Sequence, residues 1–422
     1  VKSALRVPIK TFALNMFFAF LLQFFAIKIT IGSEVIQMLI GFSVENFKSF
    51  FGVTTLSMTA TADKEHQEFN VIQTEHGNFL KSILLFGANA SGKSNLIDAL
   101  YYMKTMVSSA FDVQTEHIKL CHPFTFSEAA KNKPTKFELS FIIDGVTYEY
   151  GFDILNNQIS REYLYTTIKR RTKIFERTSP DHTSISTIKR MSGINVFKKN
   201  VRDDVLFLTW AAFANNPIAM KVVDWISNDL IIISSDRTVS PAFPYTAVSL
   251  PFLKKSDNTL VGMKIPSDRK LRAIYSTFDE NWNPIGETDV PFKDYASAGT
   301  KTMLDLSAAF GDNDTNGKTI VIDEMDLHLH PSLVRHLISQ INSIEDNRSN
   351  MQLVCTTHDV LLLDEDIRRD QIWFVDKDER GVSNLYSLSD FKDVRKNSDI
   401  LKRYLLGVYG AIPYLNRGNG YA

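Results

Sequence analysis

Cysteine is nearly absent: Cys121 and Cys355 are the only two in 422 residues, far apart and without metal-ligand spacing. That excludes a disulfide framework and a cysteine-based zinc module, and it fits a reducing cytoplasm. Charge of one sign is not in excess either, because 47 basic residues stand against 48 acidic ones. No long-range field marks the whole chain as a nucleic-acid binder, so any such surface must be local. Internal repeats and low-complexity tracts are also missing. What is present is length and apolar content: 44% hydrophobic residues can bury a large core, and the length suggests two or three compact units.

The one long apolar run lies at the start. "FALNMFFAFLLQFFAIKI", from Phe12 to Ile29, follows a basic stretch and approaches spanning length, although Asn15 and Gln23 interrupt it. Three readings stand open: a signal peptide, a membrane anchor, or a leader (1–37) outside the natural protein. In the third, the natural start is Met38, where "MLIGFSVENFKSF" begins a strand pattern at once.

Beyond Met38 the chain reads as short strands followed by the apolar run "SILLF", a buried strand ended by Gly87. A helix is expected from Lys93 to about Ala110, with Leu96, Leu100, Met103 and Val107 spaced three and four apart. From about Phe124 to Arg177 alternating aromatic and β-branched residues predict a β-rich region, and helices are expected from Val201 to about Asp229. Ser235 to Lys293 reads as loop-rich, punctuated by proline. Strands and helices then alternate to the end, the pattern of an α/β fold. Between Ser160 and Asn200 ten basic residues face three acids. This is either a solvated hairpin and loop or a surface for nucleic acid or a partner.

"GANASGKS", Gly87 to Ser94, has the spacing of a phosphate-binding loop between a buried strand and a helix. Gly87 and Gly92 are expected to permit the backbone angles that turn N–H groups of Ala88, Asn89, Ala90, Ser91 and Asn95 inward, while the helix start adds positive potential. Lys93 is placed to reach the β and γ phosphates of ATP, and Ser94 to ligate Mg²⁺. Later, "TIVIDE" ends an apolar strand in Asp323 and Glu324. Asp323 is assigned to the metal and Glu324 to polarising the attacking water. His328 and His330, with Asp326, have weak metal-ligand character, and Pro331 places them at a turn into a helix. His358, at the end of the strand "MQLVCTT", is positioned to sense the γ-phosphate.

Together these segments resemble the ATPase heads of the SMC, recombination-repair and OLD proteins. "VENFKSF" is similar to the first strand of that group and "SAGTK", from Ser297 to Lys301, to its signature motif. "IDEMDLHLHP", "CTTHDVLLLD", "RRDQIWFVDKDERG" and "YLLGVYGAIPYL" resemble, more narrowly, the RloA and AbiL abortive-infection group. The resemblance implies an α/β P-loop NTPase head with a mixed sheet, a β-rich subdomain and an inserted helical lobe at about 155–290, all within 38–422. It also implies a homodimer around two ATP molecules, in which Ser297 and Gly299 of one copy meet the γ-phosphate held by the other. Lys48 matches a basic position that approaches the nucleotide; no glutamine matches the Q-loop. An effector protein encoded nearby and a role in phage defence are further implications. The stretch after His358 is too short for the metal-binding domain of an OLD-type nuclease plus the end of the head. Asp376, Asp378 and Glu379 therefore read as a solvated turn. The alternatives are an SMC-like ATPase of nucleic-acid repair, or an OLD-type nuclease component whose nuclease is a partner; the large insertion and divergent signature speak against a transporter subunit, and Glu324 against a non-hydrolysing sensor.

Overall fold

A computed structural model describes residues 37–178, 186–187, 201–234, 249–266, 270–310, 317–392, 394 and 399–413. The apolar run of the leader lies outside these residues. Among those described, no helix is long and apolar enough to cross a membrane.

In chain order the strands are β1 (Met38–Glu45), β2 (Thr54–Ser57), β3 (Val71–Thr74), β4 (Gly77–Leu80), β5 (Ser82–Phe86), β6 (Thr135–Ile143), β7 (Val146–Leu155), β8 (Gln158–Thr167) and β9 (Arg171–Thr178). The short β10 (Ser186–Thr187) is followed by β11 (Leu230–Ile233), β12 (Leu260–Lys264), β13 (Arg272–Phe278), β14 (Pro284–Pro291), β15 (Thr319–Ile322), β16 (Gln352–Thr356), β17 (Ile372–Lys377) and β18 (Ser383–Ser387). The helices that matter here are α1 (Lys93–Ser108), α2 (Phe207–Phe213), α3 (Pro217–Asp224), α4 (Ala298–Phe310), α5 (Pro331–Asn342) and α6 (Ile400–Leu405).

Two sheets dominate. A six-stranded sheet runs β11-β15-β16-β5-β17-β18, parallel except for the antiparallel last pair. Every residue of β5, β15 and β16 is buried, which is why these strands read as unbroken apolar runs. Successive side chains point to opposite faces. Ile83, Leu85, Val321, Val354 and Val375 join one core with α1 and the antiparallel sheet, while Leu84, Phe86, Ile320, Leu353 and Phe374 join a second core with α4 and α5. Each fully buried aliphatic contributes about 1.5–3 kcal/mol relative to exposure, so both faces anchor the sheet strongly. The α/β sheet with a helix leaving β5 through a glycine loop is the P-loop head expected from sequence.

The second, seven-stranded sheet, β10-β9-β8-β7-β6-β1-β2, is antiparallel and forms the β-rich subdomain. Within about 155–290, the span expected as an inserted lobe, β8 and β9 extend this sheet, α2 and α3 supply helices, and β11 lies beside β15. The stretch read as loop-rich contains a three-stranded antiparallel sheet, β12-β13-β14. Its signal was weak because β14 is mostly exposed, lacks apolar alternation and is bounded by Pro284 and Pro291, which are confined to strand ends and edges.

The basic run from Ser160 to Asn200 is less free than its composition implied. Arg161 and Lys173 pair with Glu176, and Arg171 pairs with Glu149. Arg177 is fully buried, its guanidinium donating to the Val205 and Arg202 carbonyls beside Glu162 and Asp203. Lys189, Arg190, Lys198 and Lys199 lie outside the described residues.

Candidate functional site

The carboxyl ends of neighbouring parallel strands are where an open α/β sheet presents ligand-binding loops. Here β5 leads into Gly87, β15 into Asp323, β16 into Thr357 and His358, and β17 ends at Lys377. A cleft of about 850 Å³ is lined by Asn89, Ala90, Ser91, Gly92, Lys93, Ser94 and Asn95 on one side and by Glu324, Asp326, His328, His358 and Lys377 around it. That volume suits a small-molecule ligand.

The glycine loop is shaped differently from the sequence expectation. Gly92 has φ 115°, and Ala90, not Gly87, takes the other left-handed angle at φ 62°. Gly87 is required for space: a Cβ there would lie 2.4 Å from the Val375 carbonyl oxygen of β17. At Gly92 both reasons apply, since a Cβ would also meet the Ser383 and Ser49 hydroxyls. Alternating left-handed residues turn backbone N–H groups to one side, and α1 starts at Lys93 with no side-chain cap, leaving its first N–H groups for an anion. Leu96, Leu100, Met103 and Val107 are buried, as their spacing predicted.

Lys93 is buried and its ammonium donates to the Gly87 and Ala88 carbonyls at 2.7 and 3.1 Å. Burial lowers its pKa, and the charges of Asp323, Glu324 and Asp326 oppose that shift. Asp323 is buried at the end of β15, whereas Ser94 is exposed at the start of α1. Hard oxygen donors of this kind suit Mg²⁺. The Thr356 hydroxyl donates to Asp323 Oδ1 at 2.6 Å and accepts from the Glu324 N–H at 2.6 Å. One side chain of β16 thus fixes both acidic residues, with Glu324 held at φ 54°. Asp326 accepts the His358 N–H through both carboxylate oxygens, at 3.2 and 3.1 Å, which orients the start of the His358 loop.

The structure brings the expected Lys93, Ser94, Glu324 and His358 to one cleft, with Asp323 beside Glu324, and it adds Asp326 and Lys377 to the lining and Thr356 behind the acidic pair, three residues for which sequence reasoning had no such place. Thr356 looked like the last residue of an apolar strand. Asp326 was weighed only as a zinc ligand, and His330 in fact caps α5, its ring nitrogen accepting from Ser332 N–H. Among the described residues no group of three or more His, Cys, Asp or Glu is arranged to hold a metal alone. Lys48 is engaged elsewhere, in a 2.5 Å ion pair with Asp98 on α1, and is not among the cleft's lining residues. Neither is any glutamine.

Ser297 and Gly299 do not line this cleft. Ser297 is exposed and caps α4, accepting from the Thr300 N–H at 3.0 Å. Gly299 sits so close to the turn after β15 that a Cβ would lie 2.7 Å from the His328 carbonyl oxygen. The first turn of α4 is thus seated beside the acidic turn of its own chain while its tip faces solvent.

The family described as "AAA domain, putative AbiEii toxin, Type IV TA system" matches residues 82–193 and 225–364. The chain belongs to this family. Those residues take in the glycine loop, the acidic strand end, the signature segment and His358, so the family supports a nucleotide-binding ATPase. It is a broader assignment than the RloA and AbiL group. Two solved structures are similar in outline. The SMC head domain from Thermotoga maritima shares 15% identity over 83% of this chain and 98% of its own, with a TM-score of 0.40. The recombination mediator protein RecF bound to ATP shares 12% over 84% of this chain and 99% of its own, with a TM-score of 0.35. None of the curated proteins matches.

Proposed function

We propose that the chain binds ATP with Mg²⁺, hydrolyses it, and pairs with a second copy when ATP is bound. The observation that carries this reading is the single cleft in which the phosphate loop with Lys93 and Ser94 faces Glu324 and Asp326, with His358 at the rim. Backbone N–H groups from Ala88 to Asn95 cradle the phosphates, Lys93 leaves its carbonyl partners for the β and γ phosphates, and Ser94 with Asp323 holds the metal. When bound, Mg²⁺ neutralises charge developing on the phosphates. Glu324 orients and polarises the attacking water, and His358 contacts the γ-phosphate. The exposed tip of α4 favours a role across a dimer, with Ser297 and Gly299 of a second copy closing the site.

The biological setting is a cytoplasmic defence system of the abortive-infection type. The matched family's description as a toxin of a type IV toxin–antitoxin system supports it. ATP-driven pairing switches an effector protein encoded nearby, with nucleic acid as a further partner through the segment 160–200. Substituting Glu324→Gln is expected to lower turnover about 10²- to 10⁴-fold, the usual contribution of a general base, while leaving an ATP-stabilised dimer. Phosphate release and solution mass measured on the same sample test both halves. Unchanged hydrolysis would falsify the assignment.

A further inference from the structure

We propose that Lys377 is a second phosphate-binding cation of this cleft, holding the phosphates common to ADP and ATP; the inference rests on the ATP-binding reading. Lys377 ends β17 and borders the cleft together with Asn89 to Asn95. Alternation along the strand sets its direction. Trp373 and Val375 pack with the core that contains α1, and Phe374 packs with the opposite core. Lys377 follows Val375 by two residues and shares its face, the side of the sheet from which α1 leaves the phosphate loop. Asp376 belongs to the other face, where its charge acts on Tyr404.

The neighbouring carboxylates are not ion-pair partners of its ammonium. Asp376 accepts the Lys377 backbone N–H at 2.9 Å, and Asp378 accepts from the Arg380 side chain and from the backbone N–H groups of Arg380 and Val382. Among the described residues no carboxylate lies within ion-pair distance of the Lys377 ammonium, although the residue is half-buried. A half-buried cation without a counter-charge loses hydration unless an anion joins it. The scaffold beneath it is fixed against the loop. Val375 crowds Gly87, and Ser383, the register partner of Lys377, donates to the Ser91 carbonyl at 2.5 Å and shares a hydrogen bond of 2.8 Å with the Ser49 hydroxyl.

Position selects the phosphates. β17 flanks β5 on the side away from β16 and β15, which carry His358 and Glu324. Those two groups surround the hydrolytic end, so a cation on β17 meets the part of the chain that ADP retains. Its contribution is then uniform binding, which raises KM without changing kcat when lost.

The test compares the full-length chain with its Lys377→Met, Lys377→Arg and Lys93→Met variants, titrated with fluorescent ADP and ATP in Mg²⁺. Lys377→Met is expected to weaken both nucleotides about tenfold, the size of one charge-assisted hydrogen bond, with kcat nearly unchanged. Lys377→Arg should recover most of the affinity, which a purely structural role would not give. If Lys377→Met is insoluble, Lys377→Gln gives the same readout. Wild-type affinity for both nucleotides in a folded Lys377→Met or Lys377→Gln protein, or equal losses in the Arg and Met variants, overturns the proposal. Should Lys93→Met also bind like wild type, the ATP-binding reading itself fails; loss in Lys93→Met alone removes only the role of Lys377.

Discussion

Lys93 stands among the ends of buried parallel strands and is hydrogen-bonded to its own loop, whereas Ser297 stands at an exposed helix start that follows the mostly exposed strand β14. The first region is assembled by burial: β5, β15 and β16 lie fully inside, so their loops inherit fixed positions. The second shares a core through Met303, Leu304 and Leu306 of α4, while its first turn is set by the Ser297 cap and by the close approach of Gly299 to the His328 carbonyl. The contrast is what the proposed shared site requires: one wall assembled inside the chain and one segment presented outward. A P-loop wall with an outward signature segment makes sense if each copy supplies what its partner lacks.

The largest expected effect breaks this comparison directly. Chains carrying Lys93→Ala and chains carrying Ser297→Arg are each expected to lose turnover by about 10²-fold or more, the scale of removing a phosphate-stabilising donor. Mixed, they form dimers in which one site has both an intact Lys93 and an intact Ser297, and measurable phosphate release returns. Two independent monomeric sites give no recovery at any mixing ratio, so a flat activity curve sinks the shared-site reading.

A smaller effect sharpens the internal half. Thr356→Val removes the hydroxyl that joins Asp323 to the Glu324 N–H and leaves both groups without that partner. Turnover should fall about 10- to 100-fold through loss of positioning, and stability by about 1–3 kcal/mol for the unsatisfied buried groups. Nucleotide affinity in the absence of Mg²⁺ should hold, because the phosphate loop is untouched. Loss of metal-free binding in this variant means that Thr356 supports the whole wall and not the acidic pair alone.

Legibility in the sequence follows the same division. The glycine loop, the acidic pair and His358 were readable because burial forces unbroken apolar runs that stop where chemistry begins, as in "SILLF" before Gly87 and "TIVI" before Asp323. What failed depended on contacts between distant segments. Gly87 seemed to need an unusual backbone angle, yet it is the nearness of Val375 that excludes a side chain. The basic run was open between a solvated hairpin and a binding surface, and sequence could not show where its acids lie: Glu176 on the adjacent strand for Arg161 and on the same strand for Lys173, Glu149 on β7 for Arg171, and Glu162 with Asp203 for Arg177. β14 hid because an exposed strand needs no apolar alternation, and β12 and β13 are for the most part only half-buried. Thr356 and Lys377 lie inside segments that carry the resemblance, yet nothing there singles either out; strand order sets Thr356 against the acidic pair and Lys377 at the cleft.

The smallest effect concerns the seam between the two regions. Asp305 on α4 lines a narrow gap with Thr302, Leu306, Asp323, Glu324 and His328, and burial raises its carboxyl pKa above the usual 3.8. The folded chain therefore binds that proton more tightly than the unfolded one. Its contribution to stability is present below pH 3.8 and is lost as pH climbs from there through the raised value. Where Asp305 is ionised its charge has lost hydration to burial, which weakens the seam between α4 and the acidic turn. Asp305→Asn should raise the melting temperature slightly at pH 7, with the gain shrinking as pH falls toward 3.8. A gain that stays constant with pH, or a loss, shows that the seam is held by packing alone and that the signature helix is no looser than the wall it adjoins.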